Sequence, residues 1–454
     1  MTEIRRVLVA NRGEIALRII RACFDEGLES VLVVSAADVD SLPAKLADRV
    51  VVIGPASPSS SYLDVSRVVT AALATGCDAV HPGYGFLSEQ SRFAQACLDE
   101  GLVFVGPSVD TLDRGGDKLL ARELARSLDI PLASGSGAVD ADTARGLAAD
   151  IGYPILIKAA AGGGGRGMGL VRDPAQLDAA LDRAASEARE AFGDDRLFLE
   201  RFVERARHIE VQVLGDTHGN IVHLGERDCS VQRRYQKLVE EAPAFGLSDS
   251  MRERLGRAAT RFAQALDYVG AGTVEFLVDA ESDEFFFLEM NTRVQVEHPV
   301  TEVVTGIDIV RMQLRIAAGQ PLGFTQDDVS MSGHAIEFRI TAEDPTRDFQ
   351  PSPGRLTSWV VPSGEGVRID THCFPGYLVP PYYDSLLAKV IASGVDRQAA
   401  LAKARQTLGH VGIDGVQTTL GFHTSLLESP TFIAGAVTTR WIESEFMVDT
   451  RVAG

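Results

Sequence analysis

Lysine is scarce. Only Lys45, Lys118, Lys158, Lys237, Lys389 and Lys403 occur among 44 basic residues, so arginine supplies the other 38. Against such a preference, a retained lysine is a candidate for a place that needs a compact ammonium rather than a planar fork. Long apolar runs are missing too, and the N-terminus has no signal-peptide core. Both absences predict a cytoplasmic chain that makes no use of a membrane. The five cysteines (Cys23, Cys77, Cys97, Cys229, Cys373) are scattered with no CxxC spacing and read as reduced thiols. Positive charge is in deficit: a net charge of −19 argues against nucleic acid or an anionic membrane as the main partner. No GxGxxG follows the first strand-like run and no GxxxxGK[ST] occurs, which argues against a nicotinamide site and a P-loop. What remains is an ordinary globular composition over 454 residues, enough for two or three domains.

The stretch with the most chemistry is Glu284-Phe-Phe-Phe-Leu-Glu289-Met-Asn291-Thr-Arg293-Val-Gln295-Val-Glu297-His298. A short aromatic run reads as a buried strand, yet it ends in a carboxylate, an amide, a guanidinium and a second carboxylate. Upstream, Gly272–Val278 is a second apolar run, interrupted by Glu275, and Asp279–Asp283 between them is turn-like. A hairpin centred near Ser282 would pair Phe285 with Asp279, Phe287 with Leu277 and Glu289 with Glu275. Directly opposed side chains share a face at roughly 4.5–5.5 Å between Cβ atoms, so the two carboxylates repel. A divalent cation relieves this, and Asn291 adds an oxygen from the same face. Oxygen-only ligands point to Mg²⁺ or Mn²⁺, arriving with phosphates. The plainer reading is a polar hairpin end reaching solvent.

Along the chain, residues 4–11, a helix from Gly13 to about Glu26 and Val31–Val34 form a βαβ unit, and α/β alternation continues to Val105. The loop His81–Glu89 follows a strand, where open α/β sheets bind ligands; its Tyr84 is either a substrate contact or a packed tyrosine. A helix follows Asp117-Lys118. A smaller α+β unit then holds the strand Pro154–Lys158, the glycine-rich loop 159–169 and the strand Leu197–Glu200. Four consecutive glycines, Gly162–Gly165, suit a phosphate-cradling lid. In 207–214, His208, Glu210 and Gln212 share one face while Ile209, Val211 and Val213 enter the core. The polar segment 226–237 is either a solvated face or an anion pocket. A strand pair around His334–Ile340 and Val360–Asp370 and a helix near Arg397–Leu408 complete the chain.

Taken together, VANRGEIALRI (9–19), HPGYGFLSE (81–89), GDK (116–118), IKAAAGGGGRGM (157–168), RHIEVQVLGD (207–216), ERDCSVQRR (226–234), EMNTRVQVEHPVTE (289–302) and PPYYDS (380–385) resemble the biotin carboxylases of the ATP-grasp superfamily, in order and over essentially the whole chain. The resemblance implies a fold of mixed α/β and α+β class. It comprises an N-terminal Rossmann-like domain (1–115), a helical linker (116–131), a small ATP-grasp lid (132–203) and a C-terminal α+β part (204–454). It further implies ATP-dependent carboxylation of biotin by bicarbonate through carboxyphosphate, the first half-reaction of an acetyl-CoA or related acyl-CoA carboxylase. Another ATP-grasp ligase working through an acyl-phosphate is the rival.

By the same resemblance, Lys118, Lys158, Gly163, Gly164, Gly165 and Met168 would hold the ATP phosphates. His208 and Gln232 would line the nucleotide pocket, the Glu200–Val203 backbone would meet adenine, and Leu277 would pack beneath it. Glu275, Glu289 and Asn291 would hold Mg²⁺. Lys237, Arg293, Gln295 and the Val296 amide would bind bicarbonate, Glu297 would deprotonate it, and Arg339, with Tyr84 close by, would meet biotin and stabilise its enolate. Three departures stand out: Tyr235 at a position often His, Ala161 for a lid glycine, and Phe245 where proline is frequent. No Met-Lys-Met biotinylation signal occurs, so the expected partners are a separate biotin carboxyl carrier protein and a separate carboxyltransferase. A homodimer is expected through the N-terminal region, with Arg18 and Arg21 as candidate contacts.

Overall fold

The computed structural model describes residues 3–159 and 168–448. The N-terminal alternation folds as a five-stranded parallel sheet of order β3-β2-β1-β4-β5, with β1 Arg6–Val9, β2 Glu29–Ser35, β3 Arg49–Gly54, β4 Ala79–His81 and β5 Val103–Phe104. Helix α1, Gly13–Asp25, is buried along most of its length because its apolar positions meet the sheet on one side and a later helix on the other. The loop after β4 is held from below. Asn11 Nδ2 donates at 2.7 Å to the carbonyls of both Pro82 and Tyr84. Gly83 has φ +64 and a Cβ there would sit 2.9 Å from the Asn11 amide, so only glycine fits.

A three-stranded antiparallel sheet of order β7-β6-β8 follows, with β6 Ile155–Ala159, β7 Gly169–Val171 and β8 Leu197–Arg201. Its core of Ile155, Ile157, Leu181 and Leu199 is separate from the others. The lid glycines Gly163, Gly164 and Gly165, and Ala161, lie outside the described residues. Helix α2, Lys118–Ser127, starts with Asp117 accepting from the N–H groups of Leu119 and Leu120.

The rest is organised on one eight-stranded antiparallel sheet. Its order is β13-β12-β9-β10-β11-β14-β16-β15. The strands are β9 Ala206–Gly215, β10 Ile221–Arg233, β11 Gln236–Ala242, β12 Gly270–Asp279, β13 Phe285–Asn291, β14 His334–Thr341, β15 Val367–Thr371 and β16 Leu386–Gly394. Helix α3, Asp249–Ala265, covers one face. Helix α4, His298–Thr305, packs on β10, β11, β14 and β16. Two expectations are corrected here. The strand predicted over Val360–Asp370 is broken by Pro362, Gly364 and Gly366, and β15 does not pair with β14: the unforeseen β16 lies between them. Its LLAKVIASG run is buried on both faces and shows no alternation. The polar segment 226–237 is a solvated face only at its turn, 234–236, and residues 226–232 are buried. It is the end of β10 and the start of β11, and Arg227 within it is fully buried.

The hairpin forms, with a register that differs from the expected one. Glu275 does face Glu289, but Phe287 pairs with Phe276 and Phe285 with Val278, and the ladder slips between Glu275 and Phe276. Leu288 is therefore the extra residue of a bulge. The bulge resolves a conflict in the alternation, since Phe287 and Glu289 are two apart and would otherwise share a face. Phe285 and Phe287 turn into the helix-covered core, Phe287 stacking on Phe262 at 4.7 Å between ring centroids. Beyond the bulge, Glu289 and Asn291 turn to the opposite face. Among the described residues no helix is long and apolar enough to cross a membrane, and all five cysteines are buried and free.

The two sides of the bulge should separate experimentally. Phe287→Ala should cost about 3–5 kcal/mol of folding stability, read by denaturant unfolding, and leave metal–nucleotide affinity intact. Glu289→Gln should do the reverse, and a fall in nucleotide affinity with Phe287→Ala in fully folded protein would refute the assignment of faces.

Candidate active site

Sheet register assembles a row of carboxyls on one face. Glu289 on β13 faces Glu275 on β12, which faces Glu210 on β9, which faces Arg227 on β10. Asn291, Thr273 and Gln212 form the next row. Three side-by-side carboxylates would be strongly repulsive without cations. Lys237 Nζ lies 2.6 Å from Glu210 Oε2, 2.9 Å from Glu275 Oε1 and 2.7 Å from Glu297 Oε1. Glu289 is met by Lys118 at 3.1 Å. His208 Nε2 is 3.0 Å from Glu275 Oε2.

Burial opposes the charges of Lys237, Glu297, Glu275 and His208, and the partners overcome it. Burial depresses the Lys237 pKa, but Glu210, Glu275 and Glu297 together carry it well above the lysine range. Burial raises Glu297, yet Lys237, Arg339 and Arg227 hold it well below the carboxylate range. Burial likewise raises Glu275, and Lys237 and His208 bring it well down. His208 is pushed down by burial and up, on balance, by Glu275.

Arg227 is the residue that the sequence motifs did not single out. Fully buried, it uses all five of its N–H groups. Nε donates to Glu210 at 2.5 Å. One Nη donates to Gln212 (2.7 Å) and Thr301 (3.0 Å), and the other to Thr273 (3.1 Å) and Gln295 (2.7 Å). A guanidinium cannot accept, so the Gln295 Oε1 must face Arg227, and its Nε2 is left to donate to Glu275 at 2.9 Å. The available signal was the face shared by His208, Glu210 and Gln212, which needs a buried cation opposite it.

The remaining candidates surround this row. Arg293 donates to Glu89 (2.9 Å) and to the Asn291 Oδ1 (3.0 Å). Asn291 Nδ2 in turn donates to Glu275 (2.9 Å). Arg339 donates to Glu297 at 2.8 Å and touches Glu240. The Val296 carbonyl accepts from Lys389 at 2.9 Å, and Lys389 is itself 3.0 Å from Glu14. Tyr84 donates to Glu14. Lys158 and Arg122 both contact the Glu200 carboxylate. Burial and the cations of Lys118 and Arg122 press Lys158 down to about 7, while contact with Glu200 favours its ammonium.

All of these, with Met168, Val203, Gln232 and Leu277, line one cavity of about 1500 Å³ between the three sheets or stand directly behind its wall. Every described residue of the predicted site faces the same space. Tyr235, half exposed at φ +63 in the turn between β10 and β11, also lines it. Phe245 is away from it and is covered by Arg397. Arg18 is not a surface residue: it is buried against Glu302 (2.9 Å) and Asp308. Arg21 is exposed.

Two carboxylates and an amide oxygen on one face, bearing two displaceable ammonium groups, are a donor set that fits Mg²⁺. Arg227→Lys keeps the charge but offers three donors to five acceptors. It should cost at least about 2 kcal/mol in denaturant unfolding, and Arg227→Met about 3–5 kcal/mol. Stability equal to wild type in both would show that the hub is not holding the row.

Three family models match the chain in succession: the N-terminal domain of biotin carboxylase (residues 3–112), the ATP-binding domain of the carbamoyl-phosphate synthase L chain (117–325) and the biotin carboxylase C-terminal domain (337–444). A biotin carboxylase of Nostoc sp. is 49% identical over 440 residues, covering 96% of this chain and 98% of the relative. Biotin carboxylase 1 of Bacillus subtilis is 47% identical over 443 residues, covering 97% and 98%. Among solved structures, the biotin carboxylase domain dimer of Hydrogenobacter thermophilus 2-oxoglutarate carboxylase, in complex with MgADP, ADP and bicarbonate, superposes with a TM-score of 0.94 at 43% identity over 98% of each chain. With a shared fold, a shared order of domains and this identity along its length, the chain belongs to the biotin carboxylase family of ATP-dependent, ATP-grasp ligases.

Proposed function

We propose that this chain carboxylates biotin borne by a separate carrier protein, using ATP and bicarbonate, as the first half-reaction of an acetyl-CoA or related acyl-CoA carboxylase. The observation that carries the reading is the position of Glu297. It is a buried carboxylate held between Lys237 and Arg339, in the same cavity as the Glu275, Glu289 and Asn291 cluster.

Bicarbonate is a poor nucleophile and must lose a proton before it can attack the γ-phosphate and give carboxyphosphate. Glu297 is a weak base while Lys237, Arg339 and Arg227 hold it. An anion bound by Lys237, Arg293, Gln295 and the Val296 amide draws Lys237 toward itself, and Glu297 becomes basic enough to take the proton. Substrate binding thus switches on the base. Glu275, Glu289 and Asn291 would hold Mg²⁺ or Mn²⁺, which supplies charge neutralisation for the transferring phosphoryl group. Lys118 and Lys158, with the glycine loop, hold the phosphates, and His208, Gln232, Leu277 and the 200–203 segment hold the nucleoside. Carboxyphosphate releases CO₂ and phosphate beside biotin, phosphate takes the N1′ proton, and Arg339 stabilises the enolate. Arginine suits that task because it stays charged throughout.

The bicarbonate and MgADP bound by the Hydrogenobacter domain, and its dimeric state, support this reading and a homodimer here. The expected partners are a biotin carboxyl carrier protein and a carboxyltransferase subunit, in the cytoplasm.

ATP turnover measured with bicarbonate, with and without free biotin, tests the proposal. Turnover should rise with biotin, and turnover indifferent to biotin would favour a ligase using another acceptor. Glu297→Ala should lower biotin-dependent kcat by about 10²–10⁴-fold and leave the ATP Kd nearly unchanged. Glu275→Gln should instead raise the Mg²⁺ concentration required for nucleotide binding, read by calorimetry with MgADP.

A further inference from the structure

A second pair of carboxyls lies behind Arg339. Glu240 on β11 and Glu337 on β14 are register partners, and both are fully buried. Side chains so opposed are about 4.5–5.5 Å apart at Cβ, near enough for one carboxyl proton to join the two groups. Among the described residues one cation is in direct contact with the pair. Arg339, two residues beyond Glu337 on the same strand face, touches Glu240 and shares its guanidinium with Glu297. Lys389, the partner of Arg339 on β16, is committed to Glu14 and the Val296 carbonyl. Among the described residues no oxygen of either carboxyl has a hydrogen-bond partner, and Glu240 has only its ion pair with Arg339. Two ionised carboxylates in this place, with one shared arginine between them, would carry an uncompensated buried charge.

We propose that Glu240 and Glu337 hold a single proton between them, Glu337 as the neutral acid and Glu240 as the carboxylate, and that Glu240 is the standing counter-ion of Arg339. The role rests on the functions proposed for Arg339 and Glu297. Once Glu297 accepts a proton it no longer attracts the guanidinium as an anion, and the Glu240 carboxylate then keeps Arg339 at the place where negative charge develops on biotin. Glu240 is a positioning residue; it does not touch the substrate.

The electrostatics agree with the geometry. Burial raises Glu337 well above the carboxylate range, and Glu240 and Glu297 raise it further against the pull of Lys389 and Arg339. Burial also raises Glu240, with Glu297, against Arg339 and Lys237. A carboxyl raised in the folded state contributes its full stability only below the unfolded pKa and loses it as pH climbs toward the folded value.

The test uses Glu337→Gln and Glu240→Gln in the full chain, with biotin-dependent ATP turnover and thermal unfolding from about pH 5 to about pH 9 as readouts. The amide introduced by Glu337→Gln mimics the neutral acid, so this variant should keep turnover within about twofold, and its Tm should gain on wild type as pH rises. Glu240→Gln should lower biotin-dependent kcat by about tenfold or more, with the KM for ATP unchanged. A Tm difference for Glu337→Gln that does not vary with pH, or wild-type kcat in Glu240→Gln, overturns the inference. If wild type itself ignores biotin, the parent reading falls, and the pH dependence of Tm still decides whether the pair holds a proton.

Discussion

Three carboxylates stand side by side across β13, β12 and β9, and the arrangement of the site follows from the need to neutralise them. Glu289, Glu275 and Glu210, the last two buried, cannot lie in one row unless cations come between them. The chain answers with Lys118 at one end, Arg227 at the other, and Lys237 bridging the middle to Glu297. Each cation comes from a different part of the fold, so the row exists only when α2, β10 and β11 are all in place. Its negative charge is also what a divalent ion would be drawn to.

The same economy explains why lysine and arginine are divided as they are. Arg227 is a structural hub, and a five-donor planar fork matches the five oxygens around it. Under the proposed mechanism Lys237 changes partners during turnover, which a compact ammonium on a flexible stem can do. Four of the six lysines, Lys118, Lys158, Lys237 and Lys389, are in the cavity wall or directly behind it.

The ionic set extends across the sheet. Arg339 and Lys389 continue it from β14 to β16, and Asp370 on β15 and Arg368 carry it to Glu302 and Arg18. Arg18 on α1 is thereby linked through partnered charges to Lys389, which holds the Val296 carbonyl. The backbone proposed to grip bicarbonate is thus braced by a chain of ion pairs that reaches α1.

Much of this was legible in the residues themselves. The order of motifs specified the family, and the carboxylate in each of two apolar runs specified that Glu275 and Glu289 would meet, because local spacing and chemistry suffice for a hairpin. Alternation alone misplaced Phe285 and Phe287. A bulge at Leu288 is chosen by which face the helix α3 covers, and no local pattern encodes that choice. Arg227 read as one cation among many, since its burial depends on Glu210, Thr273, Gln295 and Thr301, which come from four other segments. Arg18 read as a candidate dimer contact because its partners Glu302 and Asp308 lie more than 280 positions away. Chemistry carried by neighbouring residues was determined by the sequence, whereas burial and the pairing of distant charges were decided by the tertiary structure, because desolvation is a property of the packed whole.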